Sequence, residues 1–192
     1  MRAISKKRTS DKNRDILGVL LSLVHNPTNE FSSSFSRDTV KALMIITQVT
    51  ATWVFSVLLK HPRVIKLVRT ELHEVVGRER MGVESDLLKL TDLDMVMKET
   101  FRYLAAPILV PHESLEDVIL DGYAMPKKSR ILVNFWAISR GPNVWSENVE
   151  KFCRERFKDR DVDVRGEHFE LIPFGARRRL CQADCSTIDK LF

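Results

Sequence analysis

Apolar residues along the chain fall first into helical spacing and only later into strand-like runs. "DILGVLLSLVH" (Asp15 to His25) repeats its leucines and valines every three or four positions, and Pro27 ends the pattern. A serine-rich loop, "NEFSSSFS", follows, after which Ser36 or Asp38 can cap a long helix running to about Lys60. "HPRVIKLVRTELHEVVG" starts with Pro62 in a first-turn position and closes on Gly77, with Val64, Leu67, Val68, Leu72, Val75 and Val76 on one side. Thr91 or Asp92 opens another helix, "DLDMVMKETFRYLA", which stops before Pro107.

Beyond Pro107 the texture changes. "DVIL" and "RILVNFW" read as strands joined through "DGYAMPKKS", with Asp121-Gly122 as the turn, and a small hairpin is predicted. From "SRGPNVWSENVEKF" onward the chain is charged and irregular, without repeats. The predicted fold class is mainly α with a small β element.

One run sets two environments against each other. Ala42 to Leu59 carries no charge and is about the minimum length for a membrane span. Thr47, Gln48, Thr50, Thr52 and Ser56 weaken that reading, and a helix buried in a protein core shows the same absence of charge.

Composition narrows the class only slightly. The chain has 192 residues, 44% hydrophobic and 30% charged, as expected of a globular chain with a core. Its formal charge of +5 favours acidic partners without choosing among protein, lipid, nucleic acid or an anionic cofactor. Met1 to Asn13 is basic and polar, which does not match a secretory signal, and the three cysteines are odd in number. A reducing compartment is expected.

Two clusters carry candidate chemistry. Glu99 and Arg102 lie three apart on a predicted helix and share a face; this is either a solvated pair or, with Arg156, a buried carboxylate shared by two guanidinium forks. Cys181 follows Arg177, Arg178 and Arg179, whose charge lowers a thiol pKa and marks a thiolate ligand or nucleophile, against the plainer reading of a cysteine in a turn. Zinc is weaker, since Cys181 and Cys185 find only Cys153 and His168 as further ligands.

Taken in order, "KETFR", "ILVPHES", "FCRERF" and "PFGARRRLC" resemble the signatures of the haem-thiolate monooxygenases, the cytochrome P-450 superfamily, and its plant members most. The resemblance runs from about Asp38 to Cys181 and implies the C-terminal fragment of that fold. Residues 1–37 then form a basic tail, short helix and Ser-rich loop, and residues 38–192 a partial, truncated monooxygenase domain.

The resemblance implies that Cys181 is the axial thiolate on haem iron, where electron donation from sulfur favours O–O cleavage. It implies that Arg179 and His112 pair with haem propionates, and that the Phe174-Gly175 turn folds under the haem. Glu99, Arg102 and Arg156 become a structural triad behind the pocket, and Pro107 to Val110 line the substrate side. The implied reaction inserts one oxygen atom of dioxygen into a small lipophilic substrate. Electrons come from NADPH through a flavoprotein reductase, at the cytosolic face of the endoplasmic reticulum. No nucleic-acid partner is implied, and a membrane contact comes only through an N-terminal anchor that this chain lacks, so that alone it is expected in the cytosol.

Several positions depart from the family pattern. Arg177, Gln182 and Ala183 stand where the family's loop has glycine, proline and glycine, and Arg154 replaces the proline of Pro-Glu-Arg-Phe. A left-handed backbone at Arg177 costs a residue with a Cβ about 1–2 kcal/mol. The dioxygen-holding segment of the long helix is shortened, leaving Thr47 for the family threonine and Ile46 for the acid, and isoleucine carries no proton. After Cys181 the text "QADCSTIDKLF" is short and polar where an apolar helix is expected. The expectation is therefore poor haem binding and poorly coupled hydroxylation by this polypeptide alone. The alternative is a non-catalytic basic helical module binding an acidic protein or nucleic acid through "MRAISKKR" and "RRR".

Overall fold

Helix α1 (Ile16–His25) is followed by α2 (Arg37–Lys60), whose start is set by a reciprocal cap. The Thr39 amide donates to Ser36 Oγ at 3.1 Å and the Ser36 amide donates to Thr39 Oγ1 at 3.3 Å, so Ser36 is the cap and Asp38 lies inside the first turn. The structure, a computed structural model, describes residues 16–25, 36–104, 109–145, 148–177 and 180. It divides into two compact units at the Trp53-Val54 bond.

The second unit is built around α5 (Thr91–Leu104). Val96 and Met97 of α5 pack with Val54 and Leu58 from the end of α2 and Val68 of α3 (Pro62–Val75), while Leu93 and Phe101 flank this cluster. A second cluster gathers Trp145, Phe157, Val162, Val164 and Leu171, with Met95 and Phe101 of α5 against it. Phe101 touches both clusters, so α5 is sunk between them and the polar groups on its buried faces must be satisfied inside.

Pro62 occupies the first turn of α3, and Gly77 follows its end at φ +81°, as the sequence signals predict. The apolar face is narrower than predicted. Val68 is buried and Val64, Ile65 and Val75 are half-buried, but Leu67 and Leu72 are exposed, because the contact stripe advances in steps of three and four through 64/65, 68, 71 and 75. Helix α2 departs in the same direction. Val54, Val57 and Leu58 are buried, yet Ile45, Phe55 and Leu59 are 63%, 63% and 72% exposed, so the absence of charge does not translate into general burial. By length and hydropathy alone this helix could also cross a membrane.

The β element corrects one expected pairing. Asp121 (φ +50°) and Gly122 (φ +81°) form a two-residue turn that closes immediately, pairing β2 (Val118–Leu120) with β3 (Tyr123–Met125). The strand β4 (Arg130–Asn134) instead pairs antiparallel with β1 (Leu109–Glu113), with Val110 opposite Val133. Ser114 joins the two pairs by donating to the Pro126 carbonyl at 2.7 Å and accepting from the Ser129 amide at 2.9 Å. Phe135 and Trp136, expected in the strand, begin the one-turn helix α6 (Phe135–Ile138), since Asn134 turns from strand to cap and accepts from the Ala137 amide at 2.9 Å. Short turns follow: α7 (Pro142–Trp145) and a 3-10 turn, Arg154–Phe157. A single turn, α4 (Glu84–Leu87), precedes α5.

Candidate functional site

Glu99 and Arg102 are both fully buried, which removes the solvated-pair reading. Three residues apart on α5, they meet as a fork: Arg102 Nε donates to Glu99 Oε2 at 2.7 Å and Nη2 to Oε1 at 2.8 Å. The remaining guanidinium donors reach backbone carbonyls of Ser139 (3.1 Å), Val149 (3.0 Å) and Lys151 (3.3 Å). A buried charge demands such completeness, because an uncompensated one costs about 3–5 kcal/mol.

Arg156 is brought to the same carboxylate, with Nε 3.7 Å from Glu99 Oε1, close enough for charge attraction and too far for a hydrogen bond. Its own donors go to the Trp145 carbonyl at 2.8 Å and the Asn148 carbonyl at 2.5 Å. The Cys153 amide takes the direct place on Glu99 Oε1, at 2.8 Å. Sequence reasoning assembled the three side chains but missed this amide and the ring of carbonyls, which no residue-type pattern announces.

The approach to Cys181 is the second part of the site. Phe174 is half-buried and meets Phe101 edge to face, ring centres 5.2 Å apart, so the loop is pinned to the helix that carries Glu99. Gly175 sits at φ +82° and Arg177 at φ +54°. The loop therefore keeps a left-handed backbone at Arg177 despite the Cβ, and the Arg177 guanidinium lies 5.2 Å from the Phe169 ring centre. Beneath it Gly166 adopts φ +80°; a Cβ there would stand 2.9 Å from the Gly175 carbonyl oxygen and 3.0 Å from Ala176 Cα. Gly166 is a supporting residue that sequence reading overlooked. Its only signal was a lone glycine between charged residues.

Cys181, Cys185, Arg178, Arg179, Pro107 and Ile108 lie outside the described residues, so the expected thiolate, one propionate partner and part of the substrate wall have no geometry here. His112 is exposed on β1, opposite Ile131. Leu109 and Val110 precede it, one exposed and one half-buried. Thr47 is half-buried in the part of α2 within the first unit. Burial, then the Glu155 carboxylate 3.5 Å away, pushes the Cys153 thiol pKa up. No cluster of metal-ligating side chains occurs among the described residues.

Helix α5 is positioned from outside itself. The Glu71 carboxylate, reaching over from α3, accepts from the Asp92 amide (2.7 Å), the Leu93 amide (2.9 Å) and Thr91 Oγ1 (3.1 Å), taking the place of a local cap.

A mainly helical chain with a minor antiparallel element, a buried carboxylate serving two guanidinium groups, and a left-handed loop leading to a cysteine has the layout of the haem-thiolate class. Comparison with known proteins carries this to a family. Residues 2–182 match the family described as Cytochrome P450, a match that also takes in residues upstream of Asp38. Over 179 residues the chain is 45% identical to Cytochrome P450 CYP736A12 of Panax ginseng, covering 87% of this chain and 36% of that protein. It is 41% identical over 182 residues to Cytochrome P450 76T24 of Catharanthus roseus, covering 90% and 35%. Among solved structures, a zebra fish cytochrome P450 with progesterone superposes with a TM-score of 0.70 at 31% identity, covering 94% of this chain and 42% of that one. The chain belongs to the cytochrome P450 family. It spans about a third of the length of these curated relatives.

The family implies haem, and the described residues bear on its cysteine loop. The left-handed Gly175 and Arg177, the cradle that only a glycine at 166 permits, and the Phe174 anchor hold an unfavourable loop conformation directly ahead of Cys181.

Proposed function

We propose that this chain provides the haem-holding part of a monooxygenase that inserts one oxygen atom of dioxygen into a small lipophilic substrate. The observation that carries the reading is the loop Phe174 to Arg177, which keeps two left-handed residues even where arginine has replaced glycine. Strain of about 1–2 kcal/mol is retained at a position with no core packing of its own, as expected where the backbone must present a ligand.

In this reading Cys181 would ligate the haem iron through its thiolate, Arg179 and His112 would hold the propionates, and the Phe174-Gly175 turn would support the group. When bound, the haem supplies dioxygen activation, driven by electron donation from sulfur. The chain's own residues do the rest. Glu99, Arg102 and Arg156 keep the backbone behind the pocket rigid, and Thr47 stands in sequence where the family has its dioxygen-holding threonine. Ile46 precedes it in sequence and relays no proton, so in this reading NADPH consumption is coupled to product poorly. NADPH is used through a flavoprotein reductase docking at the basic cysteine side, at the cytosolic face of the endoplasmic reticulum, as the family implies.

The test is haem titration of the purified chain followed by reduction under carbon monoxide. A red-shifted thiolate band at saturating haem that disappears in Cys181→Ala supports the reading. The same spectrum with and without Cys181 overturns it.

A further inference from the structure

Glu99 and Arg102 pair within one helix, so their fork needs no tertiary contact to form. The Cys153 amide and Arg156 come from a distant turn, and something must bring that turn to the carboxylate. Arg156 cannot do it alone. Its guanidinium is committed to the Trp145 and Asn148 carbonyls and stands 3.7 Å from Glu99.

Arg154 lies between them in sequence and is buried, only 8% exposed. Its guanidinium pairs with Asp92, in the first turn of α5, and its Nε is 3.2 Å from Glu155 Oε1. Asp92 and Glu99 are seven residues apart, which places them on the same face of α5, about 10 Å along the axis. Phe157 packs this turn into the cluster against Met95 and Phe101, and two polar contacts then fix it on one face of α5: Arg154 on Asp92, and the Cys153 amide on Glu99. A segment held at two separated points cannot pivot about either.

We propose that Asp92 and Arg154 are positioning residues, a second ionic clasp that sets the Cys153 amide and Arg156 on the Glu99 carboxylate. Arginine stands here where the family has proline, so this chain exchanges a rigid turn residue for a tether to the helix. Only the assignment of the Glu99 network to a haem pocket rests on the function proposed above; the clasp itself does not.

The experiment is amide hydrogen exchange by NMR on the full 192-residue chain without haem, reading the Cys153 amide in Asp92→Asn, Arg154→Gln, the double variant and Arg154→Lys. Each single neutral variant should speed Cys153 exchange about tenfold, equivalent to about 1.4 kcal/mol. The double variant should add nothing further, Arg154→Lys should recover most of the protection, and the Met97 and Thr100 amides within α5 should not change. Unchanged Cys153 exchange, additive single effects, or a parallel rise throughout α5 would each overturn the clasp. Should a neutral variant fail to fold, the lysine variant still decides, because a positioning charge tolerates it and a packing role for the guanidinium does not. Failure of the haem reading is seen separately, as a missing thiolate band in the unaltered chain.

Discussion

Replacing Gly166 by alanine isolates the support beneath the cysteine loop. Two penalties add. The backbone at Gly166 has φ +80°, where a Cβ costs about 1–2 kcal/mol. The new carbon would also stand 2.9 Å from the Gly175 carbonyl oxygen, 2.9 Å from Leu180 Cδ1 and 3.0 Å from Ala176 Cα. The leucine can rotate, but two of these contacts are backbone, so relief requires moving the loop, at about 1–3 kcal/mol for an overpacked site. Gly77→Ala is the matched control, since Gly77 has φ +81° and nothing within 4 Å of its would-be Cβ. Urea unfolding of both variants should give a loss of about 1–2 kcal/mol for Gly77→Ala and about 2–5 kcal/mol for Gly166→Ala. Their difference is the crowding alone. Equal losses would refute the claim that Gly166 bears the loop.

Glu99→Gln removes the charge partner of a fully buried guanidinium and should cost about 3–5 kcal/mol in equilibrium unfolding; a loss below about 1 kcal/mol would mean that the carbonyls already compensate Arg102. Glu71→Ala strips the cap from α5 and should cost about 0.5–2 kcal/mol, with exchange of the Asp92 and Leu93 amides rising most. Asp86 provides a pH signature: the Arg80 hydrogen bonds, then the Val83 amide, hold its carboxyl at about 2, below its ordinary value near ~3.9. A folded value below the unfolded one adds stability that is fully present above about pH 4 and is lost as pH falls towards 2. Asp86→Asn should flatten the melting temperature across that window, and an unchanged slope would place the acid sensitivity elsewhere.

The helices were legible because their signals are local. Ser36, Pro62, Gly77 and Thr91 each mark a boundary within a few residues of where it falls. Strand partners were not legible in the same way. Asp121-Gly122 predicts a turn correctly, but the choice between β3 and β4 as the partner of β2 depends on how soon the turn closes, and β1 offered a competing partner for β4. Leu67 and Leu72 are apolar without being inside, since apolar periodicity describes what can be covered and not what is. At the site, charged residue types at helical spacing brought Glu99 and Arg102 together on paper. The groups that complete them are backbone amides and carbonyls from residues 139 to 153, which sequence does not display.

The carboxylate that starts α5 belongs to α3, twenty residues upstream, across an exposed stretch containing Arg78 and Gly82. A protease cutting that stretch would sever the peptide without parting the pieces, because Glu71 still grips the beginning of α5 and Val68 still packs on Val96 and Met97. Nicked material should thus run as one species on a native gel and as two under denaturant. A foreign insert spliced into the same bend should leave the Glu99 assembly where it is.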